Sequence, residues 1–197
     1  MTTIAILGQG NMGGGLAKRL VGKADLALGA REPKVGEVSY ADAVARADVV
    51  VLALPFDAAV EAAKSLNLSG KTVVDISNPI TPDYSGLTIG HDTSAAEEIQ
   101  KAAPDAKVVK AFNTIFASLF DAPVAETRGV PVFIAGNDEG AVEQVADLAR
   151  KAGFSVENAG KLDAARLMEP VGMLNIRFGY GLGKGTSIAP AWIKLAA

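Results

Sequence analysis

The chain has 197 residues, 49% of them hydrophobic, a formal net charge of −3, no cysteine and one histidine. That length and apolar content suit one α/β domain with a substantial core, and the negative balance argues against a nucleic-acid partner or an anionic membrane surface. The missing cysteines exclude disulfides, thiolate catalysis and cysteine-ligated metals, and a lone His91 makes a histidine metal site a poor expectation, so no metal is expected.

In chain order, Ile4–Leu7 reads as a buried strand running into Gly8-Gln9-Gly10-Asn11-Met12-Gly13 and then into a helical run, Gly14–Leu20. Strand, G-x-G-x-x-G turn and helix start are the context that the dinucleotide-binding fingerprint requires. Gly8 allows the tight turn, Gly10 lets backbone N–H groups approach a pyrophosphate, and Gly13 lets the helix pack on the strand. The helix N-terminus then offers unpaired N–H groups and partial positive charge to the phosphates. The apolar N-terminus lacks a basic leader and is taken by this strand, so it is not read as a signal peptide. No apolar run reaches the length of a membrane span, and a soluble cytoplasmic protein is expected.

Asp25–Gly29 reads as the second strand, followed by Ala30-Arg31-Glu32-Pro33-Lys34. An NAD site usually carries a carboxylate about 20 residues beyond the glycines, where it accepts from the ribose 2′-OH. Here the strand tip presents Arg31, with Lys34 close by. A guanidinium binds a 2′-phosphate bidentately and stacks on adenine, so the tip predicts NADP over NAD.

Strand and helix signals then alternate. Tyr40–Ala47 reads as a helix capped by Ser39, Val49–Leu54 as a strand buried on both faces, Ala58–Leu66 as a helix and Thr72–Ile76 as a strand. Ile80–Thr93 is turn-rich and aperiodic. Ser94-Ala95-Ala96-Glu97 opens a helix that ends before Pro104, and Lys107–Phe112 is the next strand. An apolar helical turn reaches Phe120, and Pro131–Ala135, Asp138–Ala152 and Phe154–Glu157 read as strand, helix and strand. Beyond Leu162, Leu167, Val171, Leu174 and Phe178 recur at helical spacing and predict one buried face. The expected architecture is a doubly wound, mostly parallel Rossmann sheet over residues 1–160. Residues 161–197 are expected as a helical tail, not an independent domain, that completes the acceptor pocket or a dimer interface.

The catalytic inventory is thin. His91 sits in a turn-rich loop with no G-x-S-x-G elbow, and no acid–base residue stands out at a strand end. Hydride passing directly between two stacked rings needs little from the protein beyond proximity and orientation, so no catalytic side chain is predicted. In doubly wound sheets ligands sit outside the C-terminal strand ends. Those ends give Gly8–Gly13, Arg31, Leu54-Pro55-Phe56, Asn78-Pro79 and Phe112-Asn113-Thr114. The two proline turns either end strands or wall the nicotinamide. Asn113 either meets a carboxamide or caps the turn after it.

Gly8–Gly13, Gly29-Ala30-Arg31, Leu54-Pro55, Val74–Pro79, Ser94–Glu97, Val109–Thr114, Ile134–Gly136 and Arg166–Pro170, in that order, resemble the NADP oxidoreductases that use the deazaflavin coenzyme F420. That broader group includes the oxidoreductase domain of transmembrane ferric reductases. The resemblance implies hydride exchange between NADP(H) and a flavin-like ring. It implies that Gln9, Asn11 and Met12 line the phosphates and that Arg31 and Lys34 hold the 2′-phosphate. Pro55 then flanks the nicotinamide, and Ile115 and Ala117 lie beside the reacting rings. With the strand ends this gives Leu54, Asn78 and Asn113 as further cofactor candidates, and Phe56, Ile115 and Leu174 on the acceptor side. Two positions depart from the pattern. Ala30 replaces a hydroxyl residue, and Asn113 stands where deazaflavin-using members carry histidine, which bears on the acceptor more than on the NADP site. Free flavin, another quinonoid acceptor, or a non-catalytic NADP(H)-binding redox sensor are the alternatives. An imine or 2-hydroxy acid reductase would need a larger helical domain than this tail. A homodimer, with the tail in its interface, is expected.

Overall fold

The computed structural model describes residues 2–193 and 195. Eight strands form one sheet: β1 (Thr3–Leu7), β2 (Asp25–Ala30), β3 (Val38–Ser39), β4 (Val49–Leu52), β5 (Thr72–Asp75), β6 (Lys107–Lys110), β7 (Pro131–Gly136) and β8 (Ser155–Gly160). Their spatial order is β3-β2-β1-β4-β5-β6-β7-β8, and among these pairs only β6 and β7 run antiparallel. Successive strands move outward in one direction from β1 and in the other from β4. The β1/β4 boundary is therefore the switch point, above which doubly wound sheets bind ligands.

The helices are α1 (Asn11–Leu20), α2 (Tyr40–Arg46), α3 (Phe56–Ser65), α4 (Ala95–Ala102), α5 (Val124–Thr127), α6 (Glu139–Lys151) and α7 (Ala165–Ile176). Alternation along the strands sends side chains to two separate cores. Ile4, Ile6, Val49, Val51, Val74 and Val109 meet α1 and α6 on one face. Ala5, Leu7, Val50, Leu52, Val73 and Val108 meet α2, α3 and α4 on the other. Caps fix the helix starts: Ser39, Ser94 and Asp138 each accept from a backbone N–H three residues on. This bears out the doubly wound reading, and no helix among the described residues is long and apolar enough to cross a membrane.

Several boundaries move. α3 begins at Phe56, two residues early, because Pro55 supplies its N-cap with a φ of −56°. β6 stops at Lys110, because Phe112 adopts a φ of +58° and breaks the extended run. The larger correction concerns α7. Its buried residues are Ala165, Met168, Glu169, Gly172 and Asn175. The stripe expected to be buried lies outward, with Leu167 73%, Leu174 50% and Phe178 37% exposed. The two stripes are one residue out of phase, about 100° around the helix. Polar partners on the sheet, described below, decide which stripe is buried.

Candidate functional site

The glycine turn separates three physical demands. Gly8 has a φ of +97°, and a Cβ there would stand 2.4 Å from Ala53 O. A Cβ at Gly13 would stand 1.9 Å from Gly8 O, so this position must be bare for α1 to seat on β1. Gly10 differs: its φ of −71° suits any residue, and a Cβ there would meet nothing within 4 Å. No internal contact requires glycine at position 10; the open space above it is where a pyrophosphate would press on the backbone. α1 begins at Asn11 with no side-chain cap and no acidic residue in its first turn, so its N-terminal N–H groups and partial positive charge are left to a ligand.

Around this turn the predicted residues divide. Gln9, Gly10, Asn11 and Ala117 share one groove of about 560 Å³, together with Phe116 and Tyr180. Its far wall is the 3-10 turn Ala117–Phe120, held against α1 by buried Arg19, which donates to Phe120 O at 2.6 Å and Leu119 O at 2.7 Å. Gln9 Nε2 donates to Ile6 O at 2.8 Å, so its amide nitrogen braces the turn. Met12 packs on the core, leaving its backbone to serve a phosphate. Arg31 and Lys34 lie exposed past the end of β2, outside the groove. Leu54 and Phe56 are half-buried and Pro55 exposed at the end of β4. Ile115 is 6% exposed and packs within the core, and Leu174 faces outward on α7, so neither lines the groove. His91 is exposed on the Ile80–Thr93 loop.

Asn78 and Asn113 meet. Asn113 Nδ2 donates to Asn78 Oδ1 at 2.9 Å and Met168 O at 3.0 Å, and Asn78 Nδ2 donates to Asn113 O at 2.8 Å. Asn113 therefore braces a neighbouring strand end and α7 instead of capping the turn that follows. Its Oδ1, Ser77 Oγ and Thr114 Oγ1 are buried without a partner. Buried polar atoms are rarely left so, and these three stand at the adjacent ends of β5 and β6.

The sequence reading missed the cluster beneath this pair. Lys110, fully buried, contacts Asp75 and Glu169 at 2.7 Å each. The available signal was that Thr72-Val73-Val74-Asp75 and Lys107-Val108-Val109-Lys110 each end a buried strand on a charge.

Residues 22–79 match the family profile "NADP oxidoreductase coenzyme F420-dependent". An F420-dependent NADP reductase of Methanocaldococcus jannaschii is 30% identical, over 94% of this chain and 96% of that protein. The chain belongs to the F420-dependent NADP oxidoreductase family. Metalloreductase STEAP3 of Rattus norvegicus is 31% identical over 85% of this chain, which spans 36% of that longer protein. The crystal structure of a candidate F420-dependent NADP-reductase from Arthrobacter sp. FB24 superposes with a TM-score of 0.84 at 30% identity. That match covers 98% of this chain and 100% of the Arthrobacter protein, so the family likeness includes the tail.

Proposed function

We propose that this chain is an NADP(H)-dependent oxidoreductase that exchanges a hydride directly between the nicotinamide and a flavin-like acceptor of the coenzyme F420 type. The observation that carries the reading is the end-to-end likeness to a relative named for both NADP and F420, in a chain whose glycine turn leaves open space above Gly10. The residues fit the dinucleotide. The α1 N-terminus and Asn11 would hold the pyrophosphate, Arg31 and Lys34 the 2′-phosphate, and Leu54, Pro55, Asn78 and Asn113 the nicotinamide end. When bound, NADPH supplies the hydride and the acceptor takes it. What the chain contributes is placement: Ala117, Phe116 and Tyr180 wall the groove, and the proton that completes reduction of the ring comes from solvent, so no side chain needs to move one.

The outward stripe on α7 supports a second copy as the groove's remaining wall. Leu167, Leu174 and Phe178 face outward on α7 and the turn that follows it, and that turn also carries Tyr180, which lines the groove. Burying each yields about 1.5–3 kcal/mol, enough to favour a homodimer built on the tail. On this reading the tail from residue 161 contributes to the acceptor site and the interface; residues 194, 196 and 197 of it lie outside the described residues. Anaerobic NADPH oxidation assayed against F420, free flavin and quinones tests the proposal. Turnover with F420 well above the others is expected, and turnover with free flavin alone would replace it with the flavin-reductase reading.

A further inference from the structure

The Lys110–Asp75–Glu169 cluster lies outside the groove, and nothing in the reaction proposed above uses it. Asp75 and Lys110 are register partners on parallel strands. By alternation, both side chains emerge on the face that carries Val73 and Val108, where α4 packs and α7 is docked. Lys110 Nζ donates to Asp75 Oδ2 at 2.7 Å, Glu169 Oε1 at 2.7 Å and Ser77 O at 2.6 Å, which uses all three ammonium protons. Asp75 Oδ1 accepts from Ser77 N–H at 2.8 Å, and Glu169 Oε2 accepts from Ala95 N–H at 3.1 Å, at the start of α4. Burial pushes the Glu169 carboxyl above the usual range, and the Lys110 ammonium and the Ala95 N–H pull it back. Aliphatic side chains of equal volume often stabilise a core as well as or better than a buried ion cluster. Its presence here calls for a role that aliphatic side chains would not fill.

That role is visible in what the cluster grips. Asp75 takes the N–H of Ser77 and Lys110 takes its C=O, so this residue is held on both sides. The next residue, Asn78, pairs with Asn113, and Asn113 reaches Met168 O, one residue before Glu169. The contacts close a circuit: Lys110, Ser77, Asn78, Asn113, Met168, Glu169 and back to Lys110. Gly172 seats α7 on the same pair, since a Cβ there would stand 2.7 Å from Asn113 O. Resting on the reading that Asn78 and Asn113 stand at the nicotinamide end, we infer that Lys110 is a positioning residue. With Asp75 and Glu169 it fixes the asparagine pair and couples its placement to α7, the helix that carries the outward apolar stripe.

Lys110→Met alone would leave two buried carboxylates unpaired and is expected to fold poorly. The informative variant is Asp75→Asn/Lys110→Met/Glu169→Gln, uncharged throughout and close to the original volume. It is compared with wild type in full-length protein by three readouts: binding of 2′,5′-ADP, which probes only the adenosine half; fluorescence anisotropy of bound NADPH, which reports the nicotinamide; and single-turnover oxidation by F420. The triple variant should bind 2′,5′-ADP within twofold of wild type. Its bound nicotinamide should lose anisotropy, and its single-turnover rate at saturating NADPH should fall at least tenfold. Glu169→Gln alone keeps the Lys110 hold on Ser77 and should recover most of that rate. A folded triple variant with wild-type anisotropy would overturn the inference, and so would a parallel loss of 2′,5′-ADP binding, which would mark a global effect. Should wild type fail to turn over F420, the proposed function fails, and the anisotropy comparison still decides the positioning role.

Discussion

Gly10→Val separates fold from function within the glycine turn. The backbone at Gly10 is ordinary, with φ −71° and ψ −169°, and the space beyond it is empty of protein to 4 Å. The cost to the fold is then an N-cap change of about 0.5–1 kcal/mol. For a chain of this size that lowers Tm by roughly 1–4 °C. The cost to the cofactor is larger, because the side chain stands where the pyrophosphate would meet the backbone. Losing two charge-assisted hydrogen bonds at about 1.5–3 kcal/mol each weakens NADPH by roughly 10²–10⁴-fold. Gly13→Ala is the contrasting control: its Cβ would fall 1.9 Å from Gly8 O, so the damage goes to the fold first. Thermal denaturation and NADPH titration by nicotinamide fluorescence measure both quantities. A Gly10→Val protein that keeps its Tm and binds NADPH within threefold of wild type would refute the placement of the pyrophosphate.

Arg31→Ala should weaken NADPH at least tenfold and leave NADH nearly unchanged when both dissociation constants are measured at one ionic strength; equal losses would remove Arg31 from the 2′-phosphate. His91→Ala should cost less than about tenfold in maximal rate, since direct hydride transfer requires no titrating side chain, whereas a thousandfold loss would reveal an acid–base catalyst. Leu174→Glu with Phe178→Glu should shift sedimentation from dimer to monomer and depress acceptor turnover; a fully active wild-type monomer at nanomolar concentration would refute the interface. Glu97 is bonded by Arg166 at 2.6 and 2.9 Å, which holds its carboxyl below the usual range, with Ser94 assisting and burial opposing. A carboxyl lowered by folding stabilises above its unfolded pKa and loses that contribution as pH falls through the folded value. The Tm gap between wild type and Glu97→Gln should therefore be full at neutral pH and close on acidification, and a gap independent of pH would contradict the pairing.

The glycine turn was legible from sequence because its constraints are local: a positive φ at Gly8 and a close approach at Gly13 act within a few residues. The alternating strands and helices were legible for the same reason, as was the Ser94 cap. The phase of α7 was not. Reading its apolar stripe as buried assumes that no polar residue has a stronger claim on the interior. Glu169 does, through Lys110 59 residues away, and Asn175 does, through Thr114 O 61 residues away. The joining of Asn78 to Asn113 was hidden likewise, since each bond depends on the β5/β6 register and not on neighbouring residues. The family resemblance put Ile115 beside the acceptor, but the chain turns after Phe112, whose φ is +58°, and Ile115 packs in the core.

The most direct test of the account follows the transferred hydrogen. NADPH carrying deuterium at the reactive nicotinamide carbon is mixed anaerobically with the protein and oxidised F420 in ordinary water. A deazaflavin keeps a transferred hydrogen on carbon, so mass spectrometry of the product reads its origin. Direct transfer predicts that reduced F420 retains the deuterium and that single turnovers slow with the label. Reduced F420 carrying only hydrogen from the solvent would contradict direct hydride transfer, and the absence of any reduced F420 would contradict the acceptor itself.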